Sequence, residues 1–169
     1  ENVHLDELIL EVVERFAPLT AQRHARVEVD TLPDLAVRGD RLYLARMLGA
    51  IVENALKYGH DGVCVRIALA QRERDGAEWA YLTIGDDGPG IAAEHLPRIF
   101  ERFYRADAAR THALVPLNER AGSGLGLAIA RGIAQAHGGD VALHSDTGQG
   151  VVCAIALPLS PGSRPEGRG

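Results

Sequence analysis

The stretch Val63-Cys64-Val65-Arg66-Ile67-Ala68-Leu69-Ala70-Gln71, followed beyond the charged segment Arg72 to Gly76 by Trp79-Ala80-Tyr81-Leu82-Thr83-Ile84-Gly85, decides the fold class. Both runs are rich in β-branched, aliphatic and aromatic residues, and the brief connection between them makes an antiparallel hairpin the simplest way to join two strands. On either side of it, strand-like and helix-like segments alternate. A hairpin in the middle of such an alternation predicts a mixed sheet with helices on one face, and argues against a doubly wound parallel sheet.

Upstream of the hairpin, Leu5, Leu8, Ile9, Val12, Val13 and Phe16 fall at helical spacing, so a helix is expected from Leu5 to Arg23, kinked or divided by Pro18. A strand follows over Arg26 to Asp30. Asp40 is a plausible N-cap for a second helix that reaches Tyr58 and stops at Gly59. Downstream, Asp86-Asp87-Gly88-Pro89-Gly90-Ile91 reads as a loop. Ala106 to Ala121 has little periodicity and is expected to be a mobile surface loop. Ser123 to His137 has a helical pattern ended by Gly138-Gly139, and Asp140 to Ser145 and Gly150 to Leu157 read as the last two strands. The expected division is one domain over residues 1–159, with a Pro/Gly/Arg-rich, disordered tail over 160–169.

With 169 residues, 46% of them hydrophobic, the chain can bury one sizeable core and is too short for two ordinary domains. The 18 basic and 23 acidic residues leave a formal charge of −5, without the basic excess that would advertise nucleic acid or an anionic membrane surface. Cys64 and Cys153 each lie in an apolar run with no partner at metal-ligand spacing, and read as ordinary buried residues of a reducing compartment. No stretch approaches the roughly 18 apolar residues of a membrane span, so a soluble, cytoplasmic chain is expected. The helical pattern already under way at the first residues makes it look like a piece of something longer.

Three features point to a nucleotide. In Glu53-Asn54-Ala55-Leu56-Lys57-Tyr58, the residues Asn54, Lys57 and Tyr58 stand at i, i+3 and i+4, on one helical face. An amide oxygen suits Mg²⁺ and an ammonium suits the phosphates such a metal bridges; the plainer alternative is a solvated face on which Glu53 and Lys57 form an i,i+4 ion pair. Next, Asp86-x-Gly88-x-Gly90 directly follows a strand, where a carboxylate can accept from the exocyclic amine of adenine and glycines let backbone approach a flat base; alone it is equally a turn. Finally, Gly122-Ser123-Gly124-Leu125-Gly126-Leu127 runs into a helix whose free N–H groups suit phosphate. It lacks the Gly-Lys-Ser/Thr of a P-loop and the preceding βαβ unit of a dinucleotide fold.

The order of these features, with Ile99-Phe100-Glu101-Arg102-Phe103-Tyr104-Arg105 and the aperiodic loop between the second and third, is similar to the N, G1, F and G2 boxes of the catalytic, ATP-binding domains of sensor histidine kinases, relatives of DNA gyrase, and implies their Bergerat-type fold, an α/β two-layer sandwich with a mixed sheet covered on one face by about three helices. The resemblance covers Leu5 to Pro158. It implies that Asn54 coordinates Mg²⁺, that Lys57 contacts phosphate and that Tyr58 lies beside the nucleotide. It further implies that Asp86 holds the adenine amine, that Gly88 and Gly90 line the base pocket, that Gly122, Gly124 and Gly126 anchor a lid over about 106–121 and present N–H groups to the phosphates, and that Ile91, Ser123, Leu125 and Leu127 are ATP-binding with them. Phe100 and Phe103 match the aromatic box, and Arg105, Arg110 and Arg120 are lid candidates for phosphate.

By the same resemblance the chain binds Mg-ATP and donates the γ-phosphate to a histidine on a separate dimerisation domain, with a response regulator downstream and the fragment itself monomeric. The alternatives are a stand-alone serine kinase of the anti-sigma-factor type and a nucleotide-sensing interaction module without kinase activity. Three departures stand out. Ala50 occupies the position where many such kinases have a second Asn and the gyrase-like ATPases their water-activating Glu, and alanine cannot act as a general base. Val151, after Gly148-Gln149-Gly150, replaces a common Thr. The phosphoacceptor segment is absent: His4-Leu5-Asp6-Glu7 is a superficial echo, and His4 reads as an ordinary helix residue.

Overall fold

The computed structural model describes residues 1–102, 104, 126–145 and 148–162. The chain opens with a short strand, β1 (Asn2–His4), paired antiparallel to β3 (Ala36–Arg38) with Val3 opposite Val37. Between them lie α1 (Leu5–Arg15), α2 (Ala17–Gln22) and β2 (Arg26–Val29). The expected first helix is divided, and Pro18 supplies the reason. It stands in the first turn of α2, where a residue without an N–H is tolerated, whereas inside a continuous helix it would have met the carbonyl four residues back. Instead the Phe16 N–H reaches Val12 O and Val13 O, both at 3.2 Å, and the chain restarts. His4 is not a helix residue: it ends β1 at the N-cap position of α1, and its Nδ1 lies 2.7 Å from Asp34 Oδ1. That contact, ahead of smaller effects, holds its pKa above the ordinary imidazole value.

α3 (Arg41–Tyr58) starts as expected, the Asp40 carboxylate accepting from the N–H groups of Leu42 at 2.8 Å and Tyr43 at 3.2 Å. Next come β4 (Cys64–Arg74) and β5 (Ala77–Asp86). This hairpin is longer than expected, because the two-residue turn Asp75-Gly76 has positive φ at both positions, 53° and 75°, which suits the twist of paired strands. Arg72, Glu73 and Arg74, expected in the turn, are strand instead. Arg72 and Arg74 lie over the rings of Tyr81 and Trp79, at 5.2 and 5.4 Å. After a 3-10 turn (Leu96–Arg98), α4 (Gly126–Ala136), β6 (Asp140–Ser145) and β7 (Val151–Pro158) complete the described chain.

The five-stranded sheet runs β2-β4-β5-β7-β6, with β2 parallel to β4 and the other pairs antiparallel. The mixed sheet inferred from the hairpin is therefore present, and its central strand is β5. Ala80, Leu82 and Ile84 of β5 alternate with more exposed neighbours, as do Cys153, Ile155 and Leu157 of β7. This period-two burial turns one face of the sheet toward the apolar stripes of α1, α3 and α4, in a single cluster of buried residues. Both cysteines are free and buried; Cys153 belongs to this cluster, and burial pushes its thiol up to about 12. The chain just beyond β7 is held against the other end of the domain. Leu159 bridges to Val37, the Ser160 N–H donates to Ala36 O at 2.9 Å, and the Ser160 hydroxyl donates to Asn2 Oδ1 at 3.0 Å, which ties the end of β7 to the β1–β3 pair.

Candidate functional site

α3 is the axis of the site. A Cβ added at Gly126, the first residue of α4, would come 3.8 Å from Ala50 O and 3.9 Å from Ala50 Cβ. The start of α4 therefore rests on α3 one turn before Asn54. At the other end, a Cβ added at Gly88 would lie 3.3 Å from Gly59 Cα, so the loop after β5 touches the point where α3 stops. Asn54 and Lys57 lie between these two contacts. Asn54 and Lys57 are half-buried and Tyr58 is exposed. Lys57 Nζ sits 2.7 Å from Glu53 Oε1; the plainer i,i+4 ion pair is thus what the chain forms by itself, and a phosphate group would compete for this ammonium.

Asp86 ends β5, the middle strand, so it is flanked on both sides, opposite Val65 of β4 and Val151 of β7. Its Oδ1 accepts from the Gly88 N–H at 2.9 Å. Burial raises the Asp86 pKa above the usual carboxylate value, and the backbone amides of Gly88 and Val151 oppose that by favouring the ionised form. A half-buried carboxylate with one edge fixed by amides and its charge incompletely compensated is suited to receive a further donor. The adjacent Asp87 points the other way: its Oδ1 accepts from the Cys64 N–H at 2.8 Å and lies 3.7 Å from His60 Nε2. Gly90 has φ +75°, and Ile91 packs half-buried against the core.

The structure thus gathers Asn54, Lys57, Asp86, Gly88 and Gly126 around the C-terminal half of α3. Leu127 is buried in the core, so only its backbone is available to a ligand. Phe103, Arg105, Arg110, Arg120, Gly122, Ser123, Gly124 and Leu125, with the whole of the expected lid, lie outside the described residues. Phe100 packs half-buried against the core beneath the Arg131 guanidinium, 4.8 Å from its ring centre, and Arg131 is itself bound to Asp140 at 3.0 Å. Ala50 carries no group able to activate water.

One residue of evident importance to this arrangement has no signature in the sequence. Arg23, just past α2, donates to the last carbonyls of α3: Nε to Leu56 O at 3.1 Å, Nη2 to Gly59 O at 2.7 Å and to Lys57 O at 3.4 Å. It caps the end of the helix that carries Asn54 and Lys57, and its charge matches the negative end of the helix dipole. Arg23→Ala is expected to cost about 1–2 kcal/mol, read as a lower urea midpoint at unchanged slope. Arg23→Lys should restore only part of this, since an ammonium lacks the planar fork that reaches several carbonyls. Full recovery by lysine would contradict the capping role.

Comparison with known proteins agrees with this geometry. Residues 39–161 match the model of the family described as histidine kinase-, DNA gyrase B-, and HSP90-like ATPases. The chain is similar to the sensor histidine kinase WalK of Bacillus subtilis, 37% identical over 149 residues that cover 87% of this chain and 23% of WalK. It is similar also to the sensor-like histidine kinase SenX3 of Mycobacterium tuberculosis, 36% identical over 157 residues that cover 93% of this chain and 36% of SenX3. Among solved structures, the mycobacterial sensor histidine kinase MprB superposes with a TM-score of 0.78 at 32% identity, over 95% of this chain and 99% of that one. Full-length ShkA in complex with AMPPNP superposes with a TM-score of 0.77 at 26% identity, over 98% of this chain and 32% of that one.

Proposed function

The chain belongs to the family of histidine kinase-, DNA gyrase B-, and HSP90-like ATPases, and from that premise we propose that it binds Mg-ATP and supplies the γ-phosphate to a histidine imidazole on a separate domain. The observation that carries the reading is the placement of Asn54 and Lys57 on α3 between the Gly126 and Gly88 contacts, with Asp86 at the end of the neighbouring central strand. Phosphate and base ends of one nucleotide fit the two ends of that arrangement. The chain spans 23% of the length of WalK and 36% of that of SenX3. The phosphoacceptor histidine and its dimerisation domain, the response regulator and a cytoplasmic location therefore belong to this proposal. Among the described residues, no helix is long and apolar enough to cross a membrane.

In this reading Asp86 accepts a hydrogen bond from the adenine amine, and the glycines at 88 and 90 let backbone lie against the base. Asn54 offers one neutral amide oxygen, a fitting contribution to a hard ion that keeps several waters and takes the rest of its ligands from phosphate. Bound there, Mg²⁺ would neutralise charge on the transferring group. Lys57 exchanges Glu53 for phosphate, and the free N–H groups at the start of α4 face the same charge. Phosphoryl transfer asks a protein chiefly for such positioning and charge stabilisation. The attacking nitrogen comes from the other domain, its bond to phosphorus forming as the bond to the ADP oxygen breaks.

The test is calorimetric titration of ATP into this chain with and without Mg²⁺, alongside a steady-state ATPase assay. The wild type should bind ATP more tightly with Mg²⁺ and show little multiple turnover, because Ala50 leaves no base for water. Asn54→Ala should lose most of the Mg²⁺ dependence, with roughly a tenfold loss of affinity on the scale of a hydrogen bond or ligand to a charged group. No binding at millimolar ATP, or brisk multiple turnover by the pure chain, would overturn the reading.

A further inference from the structure

We propose that Ser145 is a positioning residue for base recognition, its hydroxyl locking the loop after β5 to the turn before β7; this deepens the nucleotide reading and rests on it. Ser145 is the last residue of β6, opposite Val151 of β7. Its Oγ accepts from the Ile91 N–H at 2.7 Å and donates to Gly150 O at 2.7 Å. The Asp86–Ile91 segment and the 148–150 turn are thereby joined through one atom. A second link runs parallel to it, from the Gly148 N–H to Pro89 O at 2.7 Å. A third is steric, since Gly150 lies so close to Asp86 O that an added Cβ would be 1.9 Å from it.

The chemistry of this relay is narrow. It must present an acceptor to one backbone group and a donor to another, and the hydroxyl is the smallest side-chain group that does both from one atom. Removing it strands a half-buried N–H and a half-buried carbonyl on two segments that no regular strand pairing holds together, which costs more than the net worth of either bond. The segments so joined carry Asp86, Gly88, Gly90 and Ile91 on the base side of the site. The phosphate side is built on α3 and α4, and Ser145 has no bond to either. Its loss should therefore be felt by the base and not by the metal or the phosphates.

The test compares Ser145→Thr with Ser145→Val, which have nearly the same shape and differ in the hydroxyl. Adenosine and Mg-ATP are titrated into each variant and the wild type, and amide hydrogen exchange at Ile91 is followed without nucleotide. Thr should retain wild-type affinity. Val should lose about tenfold for adenosine and for ATP alike, with the Mg²⁺ dependence of ATP binding unchanged, as expected from two net hydrogen bonds; Ile91 should exchange faster in Val than in Thr. A merely structural role of the hydroxyl would lower the melting temperature of the Val variant and leave the adenosine affinity of the folded protein where it was. Equal affinity of Val and wild type, or a loss confined to ATP and absent for adenosine, overturns the inference. A wild type that binds neither ligand overturns the nucleotide reading instead, and the exchange at Ile91 still decides whether the hydroxyl locks the two segments.

Discussion

Asp86→Asn is expected to weaken ATP binding by about ten- to a hundredfold, the range for losing a hydrogen bond to a charged group, while leaving the unliganded chain at least as stable as the wild type. The two halves of this result have one cause. Asp86 sits at the end of the central strand with its charge partly desolvated, and the Gly88 and Val151 amides do not fully compensate, so its pKa is raised above the ordinary 3.8. For an acid the sign is clear: a raised folded pKa means that the folded state binds more protons, so stability falls as pH rises through the interval between the unfolded and folded values. At neutral pH the carboxylate is thus a burden on the empty fold. Asn removes the charge and still accepts from the Gly88 N–H, but it can turn an N–H₂ toward the adenine amine, where two donors face each other. ATP affinity should fall as pH is lowered through the Asp86 pKa, with a midpoint above 3.8 that disappears in the variant. A variant that binds ATP like the wild type, or one that unfolds, would remove Asp86 from the base site.

Where a local rule has one solution, the sequence predicts the structure. Asp40 before an apolar-periodic run caps α3, Pro18 divides the first helix, and the glycine after Tyr58 ends the second. The positions of several candidate residues are legible in the same way, because Asn54 and Lys57 follow the helix period and Asp86 the end of a strand. What escapes is non-local or too short. β1 and β3 have three residues each, and no periodicity can be read from three. Arg23 acts on carbonyls 33 to 36 residues away, and nothing beside it in the chain announces that. Ser145 ends an ordinary strand, and its two partners belong to segments brought together only by the sheet order β5-β7-β6. The contacts of Ser160 are non-local in the same way: its partners, Ala36 and Asn2, are at the opposite end of the chain.

Two glycines of one turn separate the effect of backbone conformation from that of contact. Gly148 and Gly150 both have positive φ, +85° and +81°, but an added Cβ at Gly148 would meet nothing within 4 Å, whereas at Gly150 it would stand 1.9 Å from Asp86 O and 2.8 Å from Asp86 C. Gly148→Ala should therefore show only the cost of a left-handed backbone at a residue with a Cβ, about 1 kcal/mol, with ATP affinity little changed. Gly150→Ala adds a collision with backbone that cannot rotate away. The end of β5 must move from β7, and strain together with overpacking should cost about 2–5 kcal/mol. Because the atom struck is the carbonyl of Asp86 itself, the displacement is delivered to the residue proposed to read the base. ATP affinity should then fall at temperatures where circular dichroism still reports a folded chain. Urea unfolding and ATP titration of the two variants side by side make the comparison. Equal destabilisation by the two alanines would mean that the turn gives way without moving Asp86, and the close approach of Gly150 would then have no part in holding the site.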